Sequence, residues 1–209
     1  MAQTVEVTKR ALASYPAKDA TKVAGPDRGF IDLMISWSGA VVAVALVALG
    51  AAAIYGGTFA LDNVRDRLQP QNISFPPAAA MTAEETAEVG AFAGQKVDTG
   101  TEAEAYSRYI GGHLVAINDG ATYSETSAAA RTEGIPEKEA AELQGKADTL
   151  FKGETLRAIL LNAYGWWTVG LITMWAGIGA GIAGLLLAVF VGLGFFHARK
   201  ARMSHPALQ

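Results

Sequence analysis

Among the residues able to do acid–base or metal chemistry, His113 stands out, with Glu102, Glu104 and Asp119 close to it in sequence. A histidine beside a carboxylate is the usual kernel of a general base or a metal ligand set. Here, however, it falls on an apolar helical face with Tyr106, Tyr109, Ile110, Leu114 and Ile117, where a packed, hydrogen-bonded imidazole is the simpler reading. Asp98-Thr99 has the form of a turn or cap rather than a catalytic pair. The chain contains no GxxxxGK[ST], GxGxxG after a strand, HExxH, GxSxG or CxxC. No catalytic, cofactor-binding or metal-binding residue is assigned, and no cofactor is implied.

The elements that would position these groups follow from hydropathy. The chain has 209 residues, 51% of them hydrophobic and 18% charged, with 23 Gly and no Cys. That charge content is below the soluble average of about 25%. The apolar excess is concentrated in two uncharged blocks, 33–61 and 158–196. Each exceeds the ~20 residues that a spanning helix needs. A cleaved signal has an apolar core of only about 7–15 residues near the N-terminus, so the first block is expected to be a retained anchor.

Charge asymmetry sets the expected orientation. The segment 1–32 carries five basic and four acidic residues, and the tail after Phe196 carries Arg199, Lys200 and Arg202 without an acid. Between the spans, nine basic and sixteen acidic residues leave −7. Positive flanks stay inside. The expected organisation is therefore a cytoplasmic segment 1–32, a transmembrane helix 33–61, an extracytoplasmic helical domain 62–157, a stalk and second transmembrane helix 158–196, and a cytoplasmic basic tail 197–209. The fold class is an all-α membrane protein, multi-pass in the cell membrane, with a small, mostly helical domain between two spans. A net charge of −3 gives no nucleic-acid footprint.

The second span carries small residues at four-residue spacing, Ala176, Ala180, Gly184, Ala188 and Gly192, beside the GxxxG pair Gly177 and Gly181. Small residues let helices approach closely in lipid, so these seven positions form the expected helix-packing interface. The first span offers Ala40, Ala48, Ala52 and Gly56 in the same role. The partner is another integral membrane subunit, a second copy, or the chain's own first span, with membrane lipid around them. The spans lack the ionisable groups of an ion relay and the polar stripe of a channel.

Between the spans, Pro70 stops the first helix, and Gln71–Pro77 is expected to run extended. Thr82/Glu85 and Thr101/Glu104 match the capping box and predict helices over 82–93 and 101–118. Asn118-Asp-Gly120 is a turn signal, and Pro136 opens a helix predicted over 136–151. Asn72-Ile-Ser74 has the pattern of a glycosylation acceptor.

The stretch Phe92–Tyr123 resembles a family of actinobacterial two-span membrane proteins. The likeness rests on Ala93, Gly94, Val97, Asp98, Thr99, Tyr106, Ile110, His113, Gly120, Thr122 and Tyr123, followed by Leu156-Arg157-Ala158 at the second span. It covers roughly 33–195; the long N-terminal segment and an insertion around 124–147 depart from the family. Members often carry the label aromatic ring-opening dioxygenase. A non-haem iron site usually needs two histidines and a carboxylate, and of the three histidines only His113 is expected on the outer side, with His197 and His205 at the cytoplasmic end. The resemblance thus implies no activity. The small-residue stripe, the lack of catalytic groups and the modest core between the spans point to a non-catalytic accessory subunit of a larger membrane assembly, and the resemblance suggests a respiratory supercomplex as that assembly. A different class of function, a membrane-anchored sensor, would place Tyr106, Tyr109, His113 and Tyr123 around a ligand on the outer domain.

Overall fold

The computed structural model describes residues 28–204. Most of the segment 1–32, and His205, lie outside the described residues. Among the described residues the fold is helical and contains no strand, with five α-helices and three short 3-10 turns. The helices are α1 (Arg28–Leu68), α2 (Ala83–Val89), α3 (Gly100–Ile117), α4 (Tyr123–Ala129) and α5 (Glu137–Ser204). Two of them, α1 and α5, are long and apolar enough to cross a membrane.

The second long helix is unbroken for 68 residues. The helix predicted over 136–151 is therefore its first part and not a separate element. No proline follows Pro136 until Pro206, and isolated glycines weaken a helix without ending it. The boundaries at 61/62 and 157/158 both fall inside continuous helices. After α1, the turn Gln69–Gln71 contains Pro70, and Asn72 closes it in the left-handed region at φ 50° with its N–H on the Gln69 carbonyl.

Residues 73–77 run extended into Pro76 and Pro77; the stretch expected from Gln71 starts two residues later, because Gln71 belongs to the 3-10 turn and Asn72 is left-handed. Phe75 N–H donates to the Gln95 carbonyl at 2.9 Å and Val97 N–H to the Ile73 carbonyl at 2.9 Å. Ser74 and Lys96 form one antiparallel bridge. This strap buries Phe75 to 2% exposure.

Three capping boxes start the short helices: Thr82/Glu85, Thr99/Glu102 and Thr122/Glu125. The box predicted at Thr101/Glu104 is thus displaced two residues. Thr99 has the extended backbone that a cap requires (φ −122°, ψ 162°), whereas Thr101 is already helical. The helix predicted over 82–93 ends at Val89 and tightens into a 3-10 turn, Gly90–Phe92. The helix α4 was not anticipated, although its threonine and glutamate carry the same capping signature.

The chain forms two compact units. One contains the helix ends 28–40 and 189–204. There Trp37 meets Phe195 edge-on at 5.9 Å, and Gly39 and Gly194 lie against Val191 and Ser36 respectively. The other unit, 41–188, holds the main core: Val64, Leu68, Phe75, Val89, Val97, Ala103, Ala105, Leu160 and Trp167. This core lies where α2, α3 and the strap meet the facing sides of α1 and α5, rather than within an independent outer domain.

Candidate functional site

Close helix contact requires small residues spaced to stay on one face. Four residues turn an ideal helix by about 400°, so a four-residue stripe rotates off a partner, whereas a seven-residue repeat drifts only about 20°. The α1–α5 contact in the larger unit follows the seven-residue rule. On α1 the facing residues are Ala43, Gly50, Gly57 and Val64, all buried. On α5 they include Gly170, Gly177 and Gly184, also buried.

These glycines are places where backbone meets backbone. A Cβ at Gly57 would lie 2.6 Å from the Met174 nitrogen and 2.7 Å from the Gly170 oxygen. At Gly177 it would lie 2.7 Å from the Gly50 oxygen, and at Gly184 3.0 Å from the Ala43 oxygen. Gly181 contributes its backbone beneath Gly50, whose own Cβ would meet the Gly181 nitrogen at 2.8 Å.

The predicted interface residues thus separate. Gly177, Gly181 and Gly184 lie at the contact and Ala180 is half-buried, while Ala176, Ala188 and Gly192 are exposed. On α1, Ala48 and Ala52 are exposed and Ala40 is half-buried; Gly56 has open space where its Cβ would be. Gly50, Gly57 and Gly170 were not singled out from the sequence. The signal that finds them is their spacing, 50/57 against 170/177/184, and not the richness of small residues.

The second arrangement is aromatic. Phe75 stacks on Phe92 at 5.4 Å and meets Tyr106 edge-on at 5.1 Å. Tyr106 and Tyr109 lie 5.5 Å apart, and Tyr109 and His113 4.5 Å. The structure therefore brings Tyr106, Tyr109 and His113 together over a buried Phe75. Tyr123 is elsewhere, on α4, 5.6 Å from the Phe151 ring of α5.

His113 is tied on both nitrogens. Nδ1 lies 3.0 Å from the Tyr109 carbonyl, and Nε2 lies 3.3 Å from Glu85 of α2. The expected acids are engaged differently. Glu102 caps α3, accepting from the Asp98 and Thr99 N–H groups at 2.9 and 2.8 Å. Glu104 pairs with Arg108 at 2.9 Å, and Asp119 forms the turn with φ 51°. Burial first, and then the Glu85 charge and Tyr106, raise the Tyr109 phenol above its ordinary pKa. Among the described residues no three His, Asp or Glu side chains gather as a metal-binding group.

Long-range polar contacts fasten the segment to α5. Arg157 of α5, held by Glu154 one turn earlier on the same helix at 2.7 Å, donates from Nε to the Ser107 carbonyl of α3 at 3.1 Å. Lys146 donates to Asn118 at 3.0 Å. A cavity of about 220 Å³ lies at the end of α1, lined by Gln69, Asn72, Ile73, Lys96, Val97 and Asp98, and it includes none of the aromatic cluster. No protein-family model, no curated protein and no solved structure matches this chain.

Proposed function

We propose that this chain is a non-catalytic integral membrane subunit that contributes two helices and a small outer domain to a larger membrane assembly. The observation that carries the proposal is where the apolar surface lies. In the most apolar windows of α1 and α5 only 11% and 6% of residues are buried. Core helices of a soluble protein would bury such windows; these present Val41, Val44, Leu49, Ile172, Ile182 and Leu185 outward. Lipid and neighbouring protein are the media that cover a surface of this kind.

In this proposal both termini are cytoplasmic and 62–157 is extracytoplasmic, on the charge asymmetry given above. The outer domain is held by packing and capping, and the aromatic cluster supports it as part of its core rather than as a ligand pocket. The likeness to the actinobacterial two-span family suggests a respiratory supercomplex as the assembly, with stabilisation as the role.

Solubilisation in mild detergent, with native mass and identification of co-purifying chains, tests the proposal. A mass well above that of one chain, carried by defined membrane partners or by further copies, is the expected result. A lone chain, or recovery in the soluble fraction without detergent, would overturn it. Orientation is read separately, because the chain has no cysteine of its own. Ala121→Cys should react with an impermeant maleimide on intact cells, and Arg199→Cys only after permeabilisation.

A further inference from the structure

Two side chains of α3 fasten α2, and they differ in whether their charge is fixed. Arg108 donates from Nη1 to the Glu88 carbonyl at 3.1 Å and pairs with Glu104 at 2.9 Å. A guanidinium stays charged across the whole working pH range. Further along α3, His113 reaches the first turn of α2, with Nε2 3.3 Å from the Glu85 carboxylate. Histidine is the side chain whose charge changes between pH 5 and 8. The helix they hold is only seven residues long. A helix this short depends on its tertiary contacts, and this one carries Val89 into the core.

Both ring nitrogens of His113 face acceptors, the Tyr109 carbonyl at Nδ1 and the Glu85 carboxylate at Nε2. A neutral imidazole has one N–H and one lone pair. Either tautomer therefore sets a lone pair against an oxygen, at the carbonyl or at the carboxylate. Only the imidazolium donates to both. Neither partner is free to turn away. The Tyr109 carbonyl is fixed in α3, and the Glu85 carboxylate also accepts from the Thr82 N–H at 2.7 Å. One carboxylate thus caps α2 and receives His113. The Glu85 side chain is only 19% exposed, whereas that of His113 is 54% exposed, so its proton exchanges with the surrounding water.

We propose that His113 and Glu85 form a pH-sensitive clamp, which seats α2 on α3 when the imidazole is protonated and loosens it when the imidazole is neutral. The titratable groups facing His113 are Glu85 from α2 and Tyr109 from its own helix. Glu88 of α2 and Glu104 of α3 are turned to Arg108, and Glu84 is exposed. The Tyr109 phenol is neutral throughout this range, because burial, the Glu85 charge and Tyr106 hold it above 10.0. The proton on His113 supplies the donor that Glu85 accepts. Seating is therefore firmest on the acid side and weakens as pH rises through the histidine range. Solvent screens a contact this exposed, so the seating equilibrium changes by about two- to five-fold. The turn after α2 stacks Phe92 on Phe75, so the clamp governs how often the cover of the aromatic cluster loosens.

Amide hydrogen exchange on the full chain in detergent, corrected for intrinsic rates, tests the clamp. The Thr86 and Gly90 N–H groups donate to the Thr82 and Thr86 carbonyls and report on α2. From pH 5.5 to pH 8 they should lose protection about two- to five-fold relative to the amides of α3. In His113→Gln a carboxamide donates to Glu85 at either pH, so protection should be the same at both. In His113→Phe it should be low at both. A wild type without a step, or a step of equal size in His113→Gln and His113→Phe, sinks the clamp. The readout is local to α2 and requires no partner chain, so its failure leaves the membrane-subunit reading standing.

Discussion

Gly100, the first residue of α3, lies directly against Trp167 of α5, with no room for a Cβ between its backbone and the indole side chain. The Arg65 guanidinium lies 5.7 Å from the centre of the same ring. One tryptophan, 9% exposed, thus meets α1 through Arg65 and the start of α3 through Gly100. The capping box of α3 begins one residue earlier, so the geometry that starts the helix also sets its distance from α5. Gly100→Ala should cost about 1–3 kcal/mol by overpacking, and Gly100→Val more. Thermal unfolding in detergent, followed by helical circular dichroism, reads the loss. In a Trp167→Gly background the Gly100→Ala penalty should largely vanish, because the Trp167 Cβ and indole that a methyl at Gly100 would strike are both gone. An unchanged transition for Gly100→Val would contradict the contact.

The α1–α5 seam makes a comparative prediction. Gly57→Ala, Gly177→Ala and Gly184→Ala each place a methyl against backbone or a packed side chain and should lower the unfolding midpoint. The expected cost is about 1–3 kcal/mol each. Gly56→Ala, Gly179→Ala and Gly192→Ala meet open space, and alanine is the better helix former by about 1 kcal/mol. Those three should be neutral or stabilising in the isolated chain. Equal effects in the two sets would show that the seven-residue seam does not govern the packing.

These contrasts also mark how far the amino-acid sequence could be read. Both long helices were legible because an uncharged run of this length has few alternatives. The individual seam residues were not, because alanine and glycine are common all round α5 and only the register against α1 separates Gly177 from Ala176. The cap at Thr99 was misplaced by two residues because Thr99-Gly-Thr-Glu102 and Thr101-Glu-Ala-Glu104 satisfy the same pattern, and backbone conformation decides between them. Tyr106, Tyr109 and His113 could be grouped by helical spacing. Phe75 and Glu85 join them from other elements, a tertiary fact without a local signal.

The three capping threonines offer a graded test. Thr82→Ala, Thr99→Ala and Thr122→Ala should each cost about 1 kcal/mol or less. Thr99 should be the most damaging, because α3 carries Ala103, Ala105 and Tyr106 into the core. At Thr122 the cap is also sensitive to acid. The Thr122 backbone N–H and then its hydroxyl hold the Glu125 carboxylate below its ordinary pKa. A depressed folded-state pKa adds stability above the unfolded value of 4.5 and loses it as pH falls through the lower folded value. Protection of the α4 amides against hydrogen exchange should weaken over that acidic range in the wild type and show no such step in Glu125→Gln.

Tyr109 predicts the opposite limb. Burial, the Glu85 charge and Tyr106 all disfavour its phenolate, so its folded pKa lies above the unfolded value of 10.0. A raised pKa means the folded state holds the proton more tightly. The resulting stability is fully present below pH 10.0 and is lost as pH rises through the folded value. Tyr109→Phe removes the titrating group while keeping the ring that meets Tyr106 and His113. Its alkaline unfolding should therefore be shallower than that of the wild type. Glu85→Gln removes a charge that holds the phenol neutral, so Tyr109 should titrate lower, as read by phenolate absorbance in a difference between this variant and its Tyr109→Phe double. An unmoved titration in Glu85→Gln would show that the carboxylate across the α2–α3 contact does not act on Tyr109, leaving burial as the cause.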